Sequence, residues 1–467
     1  MQPWMNRRQM LCSLGSGFGA LGLASVLAGE GLLGSAAHAA TSGGNPLAPK
    51  APHFPPRAKR VIFLFMNGGP SQVDTFDPKP ALDKHAGELK EGTTRQEKAG
   101  KLMPSPFKFQ KYGQSGIEVS ELYPHVARRI DDICVIRSMH TNTPNHEPSL
   151  LMMNSGETQP TRPSMGSWLS YGLGSENQDL PGYVVLCPGK PVVGPQLWSN
   201  SFLPGIYQGT HINNNRVDPK SVIEHVANRH LPRDAQRRQL DLLQQMNAVH
   251  LQERGGDDQL EARIASLEMA FRMQTEAQEA FDLTRETTAM RQRYGEGAFA
   301  NACLIARRLA ERGVRMTQIY FGKDQPWDDH GDILNHRNHA RLSDQPIAAL
   351  LMDLKSRGLL DETLVIWGGE FGRTPAAEGR QGKRGRDHNS KGFSMWLAGG
   401  GVKGGHVHGA TDEFGGTAVE KKVHVHDLHA TILHLLGIDH ERLTFRYSGR
   451  DFRLTDVHGE VVREILA

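Results

Sequence analysis

The sequence has few cysteines, four among 467 residues. If the N-terminal segment is removed as argued below, Cys134, Cys187 and Cys303 remain. An odd number of widely spaced cysteines excludes a disulfide framework. Cys134 and Cys187 lie in apolar, strand-like runs, which indicates small buried side chains rather than reactive thiols.

The sequence also lacks an excess of charge of one sign. The formal net charge is +3, with 54 Lys and Arg against 51 Asp and Glu. No Lys/Arg-rich run and no basic stretch interleaved with aromatic residues is present, so we expect no nucleic-acid partner. The remaining composition, 38% hydrophobic and 22% charged, is ordinary for a protein with a large core.

The N-terminus has the features of an export signal. Arg7 and Arg8 precede a Gly/Ala/Leu-rich apolar stretch, and "AAHAA" offers a cleavage site after Ala39. This pattern resembles a twin-arginine signal peptide over residues 1–39, followed by a Pro/Gly-rich linker over residues 40–58. The alternative is an uncleaved membrane anchor, but the glycines make a poor spanning helix. We therefore expect a periplasmic or extracellular protein with no stable membrane insertion after cleavage.

After the linker, apolar runs of strand length alternate with helical patterns. The first run is "KRVIFLFM", and later runs cover residues 133–139, 183–186, 314–321, 363–368 and 393–398. Strands that are apolar throughout, alternating with helices, predict an α/β fold with a mostly parallel central sheet covered on both faces.

Residues 217–292 differ from the rest of the chain. They are charged, glutamine-rich and helix-favouring, with apolar residues at helical spacing, and Gly255 and Gly256 divide them into two arms. This pattern predicts an antiparallel helical insertion. The insertion either caps the functional site or forms a solvated helical pair that supports the sheet.

Polar residues concentrate directly after four of the predicted strands. In an open α/β sheet, ligands bind beyond the carboxyl ends of the strands, so these residues are expected to share a cleft. They are Asn67, Ser71, Asp74 and Asp77; Thr143, His146 and Ser149; Asp328, Asp329, His330 and Asp332; and Glu370, Arg373, Asp387 and His388.

These residue types suit attack on a charged ester. Asp, Asn, Glu and His are ligands of Zn²⁺, Mn²⁺, Mg²⁺ or Ca²⁺, and a bound divalent metal would polarise a phosphoryl or sulfuryl oxygen. Glu370 would be a metal ligand or general base, and Arg373 would grip anionic oxygens. Alternatively, Glu370 and Arg373 pair with each other or brace neighbouring loops.

For other polar residues, a structural role is as well supported by the sequence as a role in the site, or better supported. Asp74 and Asp77 either join the site or brace the turn around Pro78. Five further histidines are expected outside the site: His406 and His408 in a loop, and His424, His426 and His429 along a strand and a helix start near the surface.

Five sequence motifs together carry a family resemblance. "FLFMNGGPSQVDTFDPKP", "WDDHGD", "LLDETLVIWGGEFGRTP", "GRDHN" and "WLAGGGVKGG" resemble the exported bacterial proteins of domain of unknown function 1501. The resemblance covers nearly everything after the linker. That family is similar to the alkaline phosphatase/sulfatase superfamily, which implies an alkaline phosphatase-like three-layer fold over residues 59–467 and metal-dependent ester hydrolysis.

The superfamily resemblance carries over in part. Asn67 stands where sulfatases have an aspartate ligand, and Glu370 stands where an Asp–His or Asp–Asn pair is usual. His146 stands at the nucleophile-precursor position, so no formylglycine-type site is implied. The superfamily also has an Asp with a His a few residues later, and Asp328–His330 or Asp332–His336 resembles that pair. The metal ligands implied are Asn67, Asp328, His330, Glu370 and His388.

The leading hypothesis is an exported metal-dependent hydrolase of phosphate or sulfate esters, acting on a polysaccharide or other envelope polymer. His146 would act as nucleophile or acid/base and Arg373 as the oxyanion clamp, while Thr143, Ser149 or a water on the metal are the other nucleophile candidates. The competing hypothesis is a relative without catalysis that binds a ligand or partner protein.

Overall fold

The computed structural model describes residues 46–215, 231–254, 258–378 and 384–467. The predicted signal peptide, residues 40–45 of the predicted linker, residues 217–230 of the predicted insertion, and Gly255 and Gly256 lie outside the described residues. The chain divides into two units. One comprises Asn45–Leu443 and Arg453–Ala467, and the described part of the other is residues 444–452.

The first apolar run forms a strand at the centre of a large sheet. All six residues of Arg60–Phe65 (β1) are buried. The strand lies between Met316–Tyr320 (β5) and Thr363–Gly368 (β6) and is parallel to both. Because neither face of the strand meets water, its sequence after Arg60 is apolar throughout instead of alternating. Burial of each large side chain here stabilises the fold by about 1.5–3 kcal/mol.

Within the described residues the sheet has nine strands, and all of them except Phe393–Ala398 (β7) run in one direction. The remaining strands are Ile133–His140 (β2), Tyr183–Leu186 (β3), Thr210–Ile212 (β4), His406–His408 (β8) and Val423–His424 (β9). The strand order is β8-β2-β7-β6-β1-β5-β3-β4, with β9 also paired to β2. The prediction of an α/β fold with a mostly parallel central sheet is therefore confirmed.

The antiparallel strand is held to its neighbour by an aromatic pair. Trp367 of β6 lies opposite Trp396 of β7, and their rings stack with centroids 6.1 Å apart. Both side chains are almost completely buried. Such a cross-strand pair adds stability beyond the area it buries.

Eight helices of seven or more residues accompany the sheet in the described part of the chain. Helices α3 and α4 lie within the range predicted as a helical insertion. The helices are His146–Ser155 (α1), Met165–Leu173 (α2), Arg233–Arg254 (α3), Asp258–Phe281 (α4), Thr288–Tyr294 (α5), Ala298–Glu311 (α6), His336–Ser356 (α7) and Val425–Leu435 (α8). Short helices occupy Gln72–Thr75, Pro80–Lys84 and Pro124–Ala127.

Small two-stranded sheets complete the secondary structure. One of them, Gly372–Ala377 with Arg386–Asn389, carries residues of the candidate site. The others pair Leu89–Lys90 with Gly100–Lys101, Phe109–Tyr112 with Ile117–Ser120, Ala410–Thr411 with Ala418–Glu420, and Phe445–Tyr447 with Arg450–Phe452. The last pair is the hairpin formed by the described part of the second unit.

Two expectations about histidines outside the site need correction. His406 and His408 were expected in a loop, but they form β8 beside β2. His426 and His429 were expected near the surface, yet their side chains are 4% and 0% exposed because α8 packs its first turns into the core. Among the described residues, no helix combines the length and the apolar character needed to cross a bilayer.

Candidate metal centre

The carboxyl ends of three neighbouring strands meet at one edge of the sheet. Phe65 at the end of β1 is paired with Tyr320 of β5 and with Gly368 of β6. Because the strands are parallel, the segments that follow them leave the sheet on the same side. A backbone hydrogen bond from Trp327 N–H to the Asn67 carbonyl, 3.1 Å long, ties two of these segments together.

Glu370 follows β6 and is fully buried. Both carboxylate oxygens accept the backbone N–H of Gly68, at 3.0 and 3.2 Å, and Oε1 also lies 2.7 Å from His146 Nδ1. A buried carboxylate is stable only when its oxygens are hydrogen-bonded, and here they are. Glu370 therefore joins the end of β1 to the first turn of α1.

The close approach at Gly68 requires glycine. Its φ is +112°, and a Cβ there would lie 2.6 Å from the backbone nitrogen of Asp328 and 2.7 Å from that of Trp327. A side chain would therefore collide with backbone atoms, which have little freedom to move. The glycine allows the Glu370 carboxylate and the 327–328 backbone to approach from two sides.

His146 begins helix α1, with Asn145 as its N-cap. Its Nδ1 faces Glu370. Its Nε2 lies 3.3 Å from Asp328 Oδ1, but without hydrogen-bond angles, so this buried ring nitrogen has no hydrogen-bond partner. A neutral imidazole that donates from Nδ1 to Glu370 has a free electron pair on Nε2.

His388 and His330 repeat this arrangement. His388 Nδ1 lies 2.8 Å from the carbonyl oxygen of Pro144, and His330 Nδ1 lies 2.6 Å from Glu378 Oε2. Their Nε2 atoms are only 2.8 Å apart. Each Nδ1 thus has an oxygen acceptor, and both Nε2 atoms point to the same place.

The carboxylate of Asp328 lies where these nitrogen atoms converge. The nitrogen atoms around its Oδ1 are Arg373 Nη2 at 2.7 Å, His330 Nε2 at 2.9 Å, His388 Nε2 at 3.0 Å and His146 Nε2 at 3.3 Å. Burial alone would raise the pKa of Asp328, but its contacts with the histidines and the charge of Arg373 hold it well below its usual range.

The pKa values of the three histidines also depart from the ordinary value. Burial would lower the pKa of His146, but its contacts with Asp328 and Glu370 raise it above the ordinary value. The contact with Asp328 raises the pKa of His330, whereas burial lowers that of His388. Carboxylates thus compensate for the burial of nearby positive charge at this place.

The donor set fits a divalent cation. Ligand atoms of His146, Asp328 and His388 lie within 4.8 Å of one another, as do those of His330, Asp387 and His388. Metal-ligating histidines typically donate their other N–H to a carboxylate or carbonyl oxygen, which fixes the tautomer and the ring orientation. All three imidazoles here have that partner.

Arg373 has a different environment from the one its predicted role requires. Its side chain is fully buried, and its donors reach the carbonyl oxygens of Gly69, Gly68, Arg386 and Trp327 as well as Asp328. A guanidinium occupied in this way orients the backbone and Asp328. Nothing in this arrangement supports the predicted oxyanion clamp.

Three other predicted site residues are hydrogen-bonded to backbone groups of the protein. Asn67 donates from Nδ2 to the carbonyl oxygens of Gly322 and Asp324, and its buried Oδ1 has no partner. Thr143 Oγ1 accepts the N–H of Asn145. The fully buried Ser149 hydroxyl donates to the Thr143 carbonyl. The metal-ligand role of Asn67 and the nucleophile roles of Thr143 and Ser149 stay predictions.

Asp74, Asp77 and Asp332 are bonded to partners other than the three site histidines. Asp74 forms a fully buried ion pair with Arg386, 2.7 Å between Oδ2 and Nε. Asp77 accepts the hydroxyl of Thr411, and Asp332 accepts the N–H of Leu334. For the first two, the bracing alternative is the one that this geometry favours.

Sequence reasoning missed Glu378, which follows the strand Gly372–Ala377 and orients His330. It also gave no role to Phe371, whose ring centroid lies 4.8 Å from that of His146 and 4.7 Å from that of His388. Glu378 directly follows the run that contains Arg373, and this position was the available signal. The packing of Phe371 against both imidazoles, whose own centroids are 4.2 Å apart, depends on the fold.

Comparison with known proteins gives a family and a set of distant structures. The model of the family described as "Protein of unknown function (DUF1501)" matches residues 58–466. No curated protein matches the sequence.

Three solved structures illustrate the structural similarity. A phosphonate monoester hydrolase, SpPMH from Silicibacter pomeroyi, has 12% identity and a TM-score of 0.32, covering 74% of this chain and 71% of that one. The sulfatase PsFucS1 from Pseudoalteromonas sp. has 12% identity and a TM-score of 0.34, covering 82% and 69%. A protein in the alkaline phosphatase superfamily from Vibrio parahaemolyticus has 9% identity and a TM-score of 0.35, covering 86% and 76%. Similarity this distant does not indicate a reaction.

Proposed function

The chain belongs to the DUF1501 family of proteins of unknown function, and we propose that it is an exported, metal-dependent hydrolase of phosphate or sulfate esters. The observation that carries this proposal is the convergence of three imidazole Nε2 atoms on the Asp328 carboxylate. Each of the three rings has an oxygen acceptor at Nδ1. Sites that are only structural rarely orient three imidazoles in this way.

We propose His146, His330, His388 and Asp328 as the metal ligands. This set differs from the predicted one, because Glu370 contacts the ring of His146 and because Asn67 donates to backbone carbonyl oxygens. Of the four cations considered, Mg²⁺, Ca²⁺ and Mn²⁺ are suited to oxygen ligands, whereas imidazole nitrogen suits Zn²⁺. The donor set therefore favours zinc.

The chain's residues would prepare the site for hydrolysis. A divalent cation at these nitrogens would polarise an ester oxygen and lower the pKa of an attacking water. Glu370, Glu378 and the Pro144 carbonyl accept from the Nδ1 atoms of the three rings, so Nε2 is the atom of each ring that would face a cation. Arg373 keeps Asp328 ionised and correctly oriented.

Hydrogen bonds already made within the protein reduce the number of candidate nucleophiles. Ser149 is fully buried and its hydroxyl already donates to a backbone carbonyl, and the ring of His146 is committed at Nδ1. Thr143 is partly exposed. Water or Thr143 is therefore the preferred nucleophile, and a Thr143→Val variant distinguishes them: full activity supports water, and complete loss with metal retained supports Thr143.

Export by the twin-arginine route belongs to the same proposal. It is supported by Arg7, Arg8 and the "AAHAA" site. N-terminal sequencing of protein recovered from the periplasm or medium should find Ala40 first. Recovery of unprocessed protein from the cytoplasm would contradict this part of the proposal.

The test of the proposal combines metal analysis with an activity screen. Purified protein is loaded with zinc, manganese, magnesium or calcium, and bound metal is measured beside hydrolysis of aryl phosphates and aryl sulfates. We expect about one tightly bound cation per chain and hydrolysis that requires it. Absence of both would remove the proposal and favour the non-catalytic alternative. His458→Ala, which changes an exposed histidine outside the site, is the control.

A further inference from the structure

A small cleft opens beside His388. Its walls come from residues 92–95, from Pro144 with residues 374–375, and from residues 388–391 with Gly416. Two of the lining side chains, Arg95 and Lys391, are cationic, and none of the lining residues is Asp or Glu. The cleft thus joins one of the proposed ligands to a wall of positive charge.

Arg95 lies against the two segments that carry proposed ligands. Its guanidinium donates from Nη2 to the side-chain oxygen of Asn145, which precedes His146. Its Nη1 is 4.0 Å from the carboxylate of Asp387, which precedes His388. A distance of 4.0 Å leaves this charge only loosely paired, and 28% of the Arg95 side chain is exposed to solvent. The guanidinium is therefore close to the site and accessible.

Lys391 is paired with a partner that can be displaced. Its Nζ lies 2.5 Å from Glu97 Oε1, but 66% of the Glu97 side chain is exposed. An ion pair this exposed contributes little stability. An incoming anion would therefore exchange with Glu97 at small cost.

The neutral donors of the cleft are largely committed to backbone oxygens. The Thr93 hydroxyl donates to the Lys90 carbonyl, and the Thr94 hydroxyl donates to that of Lys98. Asn389 donates to Gly392 and Gly416. Charge, rather than a hydroxyl-recognition pattern, thus dominates what the cleft offers to a ligand.

We infer that this cleft binds a second anionic group of the substrate, with Arg95 and Lys391 as specificity-determining residues. The inference rests on the proposed function for its claim that the ligand is a substrate. The substrate class is then an ester on a polymer that carries several sulfate or phosphate groups. One of these groups would lie at the histidines and the next in the cleft, which a lone monoester cannot do.

The test measures binding of two defined polyanions, a sulfated hexasaccharide and a short linear polyphosphate. Metal-loaded wild type is compared with Arg95→Gln/Lys391→Gln and with a matched control, Lys98→Gln/Lys101→Gln. The control removes the same charge from two exposed positions that follow Arg95 in the chain and lie outside the cleft lining. We expect at least about tenfold weaker binding of one or both probes in the cleft variant and less than about twofold change in the control.

Each result has a defined meaning. Loss for one probe only supports the inference and identifies the anion, and loss for both supports it for polyanions generally. Equal changes in the two variants, or no binding by wild type, would overturn it. If the cleft variant binds more weakly than the control but no ester is hydrolysed, the proposed function is wrong and the assignment of the cleft as an anion-binding site is retained. If aryl esters are hydrolysed but the variants bind alike, the inference fails and the function stands.

Discussion

Two clusters of histidines among the described residues differ in their surroundings. The site cluster comprises His146, His330 and His388, whose Nδ1 atoms contact oxygen acceptors and whose Nε2 atoms face Asp328. In the described part of the chain, the groups of three potential ligand atoms within 4.8 Å of one another all belong to this region.

The helix cluster comprises His140, His424, His426 and His429, around the start of α8. Its rings are also close, with His140 and His424 centroids 5.0 Å apart and His424 and His426 centroids 4.8 Å apart. Here, however, Nε2 atoms bond to oxygens of the protein: that of His426 to the Gly156 carbonyl, and that of His429 to the Met153 carbonyl. The Nδ1 atoms of these two rings are buried without a hydrogen-bond partner. They do not belong to either of the groups of three ligand atoms found among the described residues, so they do not converge on one point with a carboxylate.

The comparison teaches that the partners of the rings, not their number, determine the chemistry. Carboxylates raise the pKa of His146 and of His330 in the site cluster. In the helix cluster, burial lowers the pKa of His424 to about 3 and that of His429 to about 4. One cluster is prepared to surround positive charge, and the other is held neutral. His424 instead caps α8 by accepting the N–H of His426.

The largest effect should come from removing a proposed ligand. His388→Ala should eliminate tight zinc binding and lower hydrolysis by about 10³-fold or more, equivalent to about 4 kcal/mol of barrier. Elemental analysis and initial rates measure the two losses. His429→Ala is the matched substitution in the helix cluster and should leave the zinc content of the folded protein unchanged. Zinc loss in both variants would erase the distinction between the clusters.

A smaller effect should come from changing a ring's partner. In Glu370→Gln, the negative charge beside His146 is lost, and an amide NH₂, which only donates, takes the place of one carboxylate oxygen that now accepts the N–H of Gly68. The Nδ1 tautomer of His146 therefore loses part of its support. We expect about 10- to 100-fold weaker zinc affinity with the fold retained. Competition with a chelator measures it.

The matched control for Glu370→Gln is Glu378→Gln. The Glu378 side chain is 26% exposed, so water can replace its contact with His330 and the loss of affinity should be smaller. Equal losses in the two variants would indicate that general negative charge, rather than orientation of His146, is what matters.

The helix cluster should make stability depend on acidity. For His429 the pKa is about 4 in the folded protein and near 6.5 in the unfolded chain, so stability is complete above pH 6.5 and falls as the pH drops toward 4. The loss is about 1.4 kcal/mol per pH unit for this residue. In His429→Gln, the free energy of unfolding, measured with denaturant at several pH values, should fall less steeply with decreasing pH, by that amount per pH unit. An unchanged slope would mean that His429 does not stay neutral in the fold.

The smallest effect should come from His458, whose exposed ring stacks on that of His426 with centroids 5.1 Å apart. His458→Ala should change the free energy of unfolding by about 0.5 kcal/mol and leave zinc binding unchanged. Thermal unfolding and metal analysis measure both. A larger destabilisation would show that the helix cluster extends to the surface as one packed unit.

Much of the sheet, but less of the candidate site, could be predicted from the sequence. Strands at residues 183–186, 363–368 and 393–398 were predicted with their observed bounds, because long apolar runs have few alternatives. Strands β4, β8 and β9 have only two or three residues, and each of them contains at least one histidine. A run that short carries no detectable period.

In the site, residue types were predictable but their partners were not. The tips that carry His146, Asp328 and His388 were expected to meet, and they do. Glu370 was assigned as a ligand because nothing in the sequence shows that it contacts His146, 224 residues away. Arg373 was assigned as a clamp because the carbonyl oxygens that occupy it come from distant loops.

The central claim is that three imidazoles and one carboxylate surround a single cation. X-ray absorption spectroscopy at the zinc edge of the loaded protein tests it most directly. We predict three imidazole nitrogens and one or more oxygens at about 2.0–2.2 Å, and one imidazole fewer in whatever zinc His388→Ala retains. A zinc shell without imidazole, or one that is identical in His388→Ala, would contradict the account.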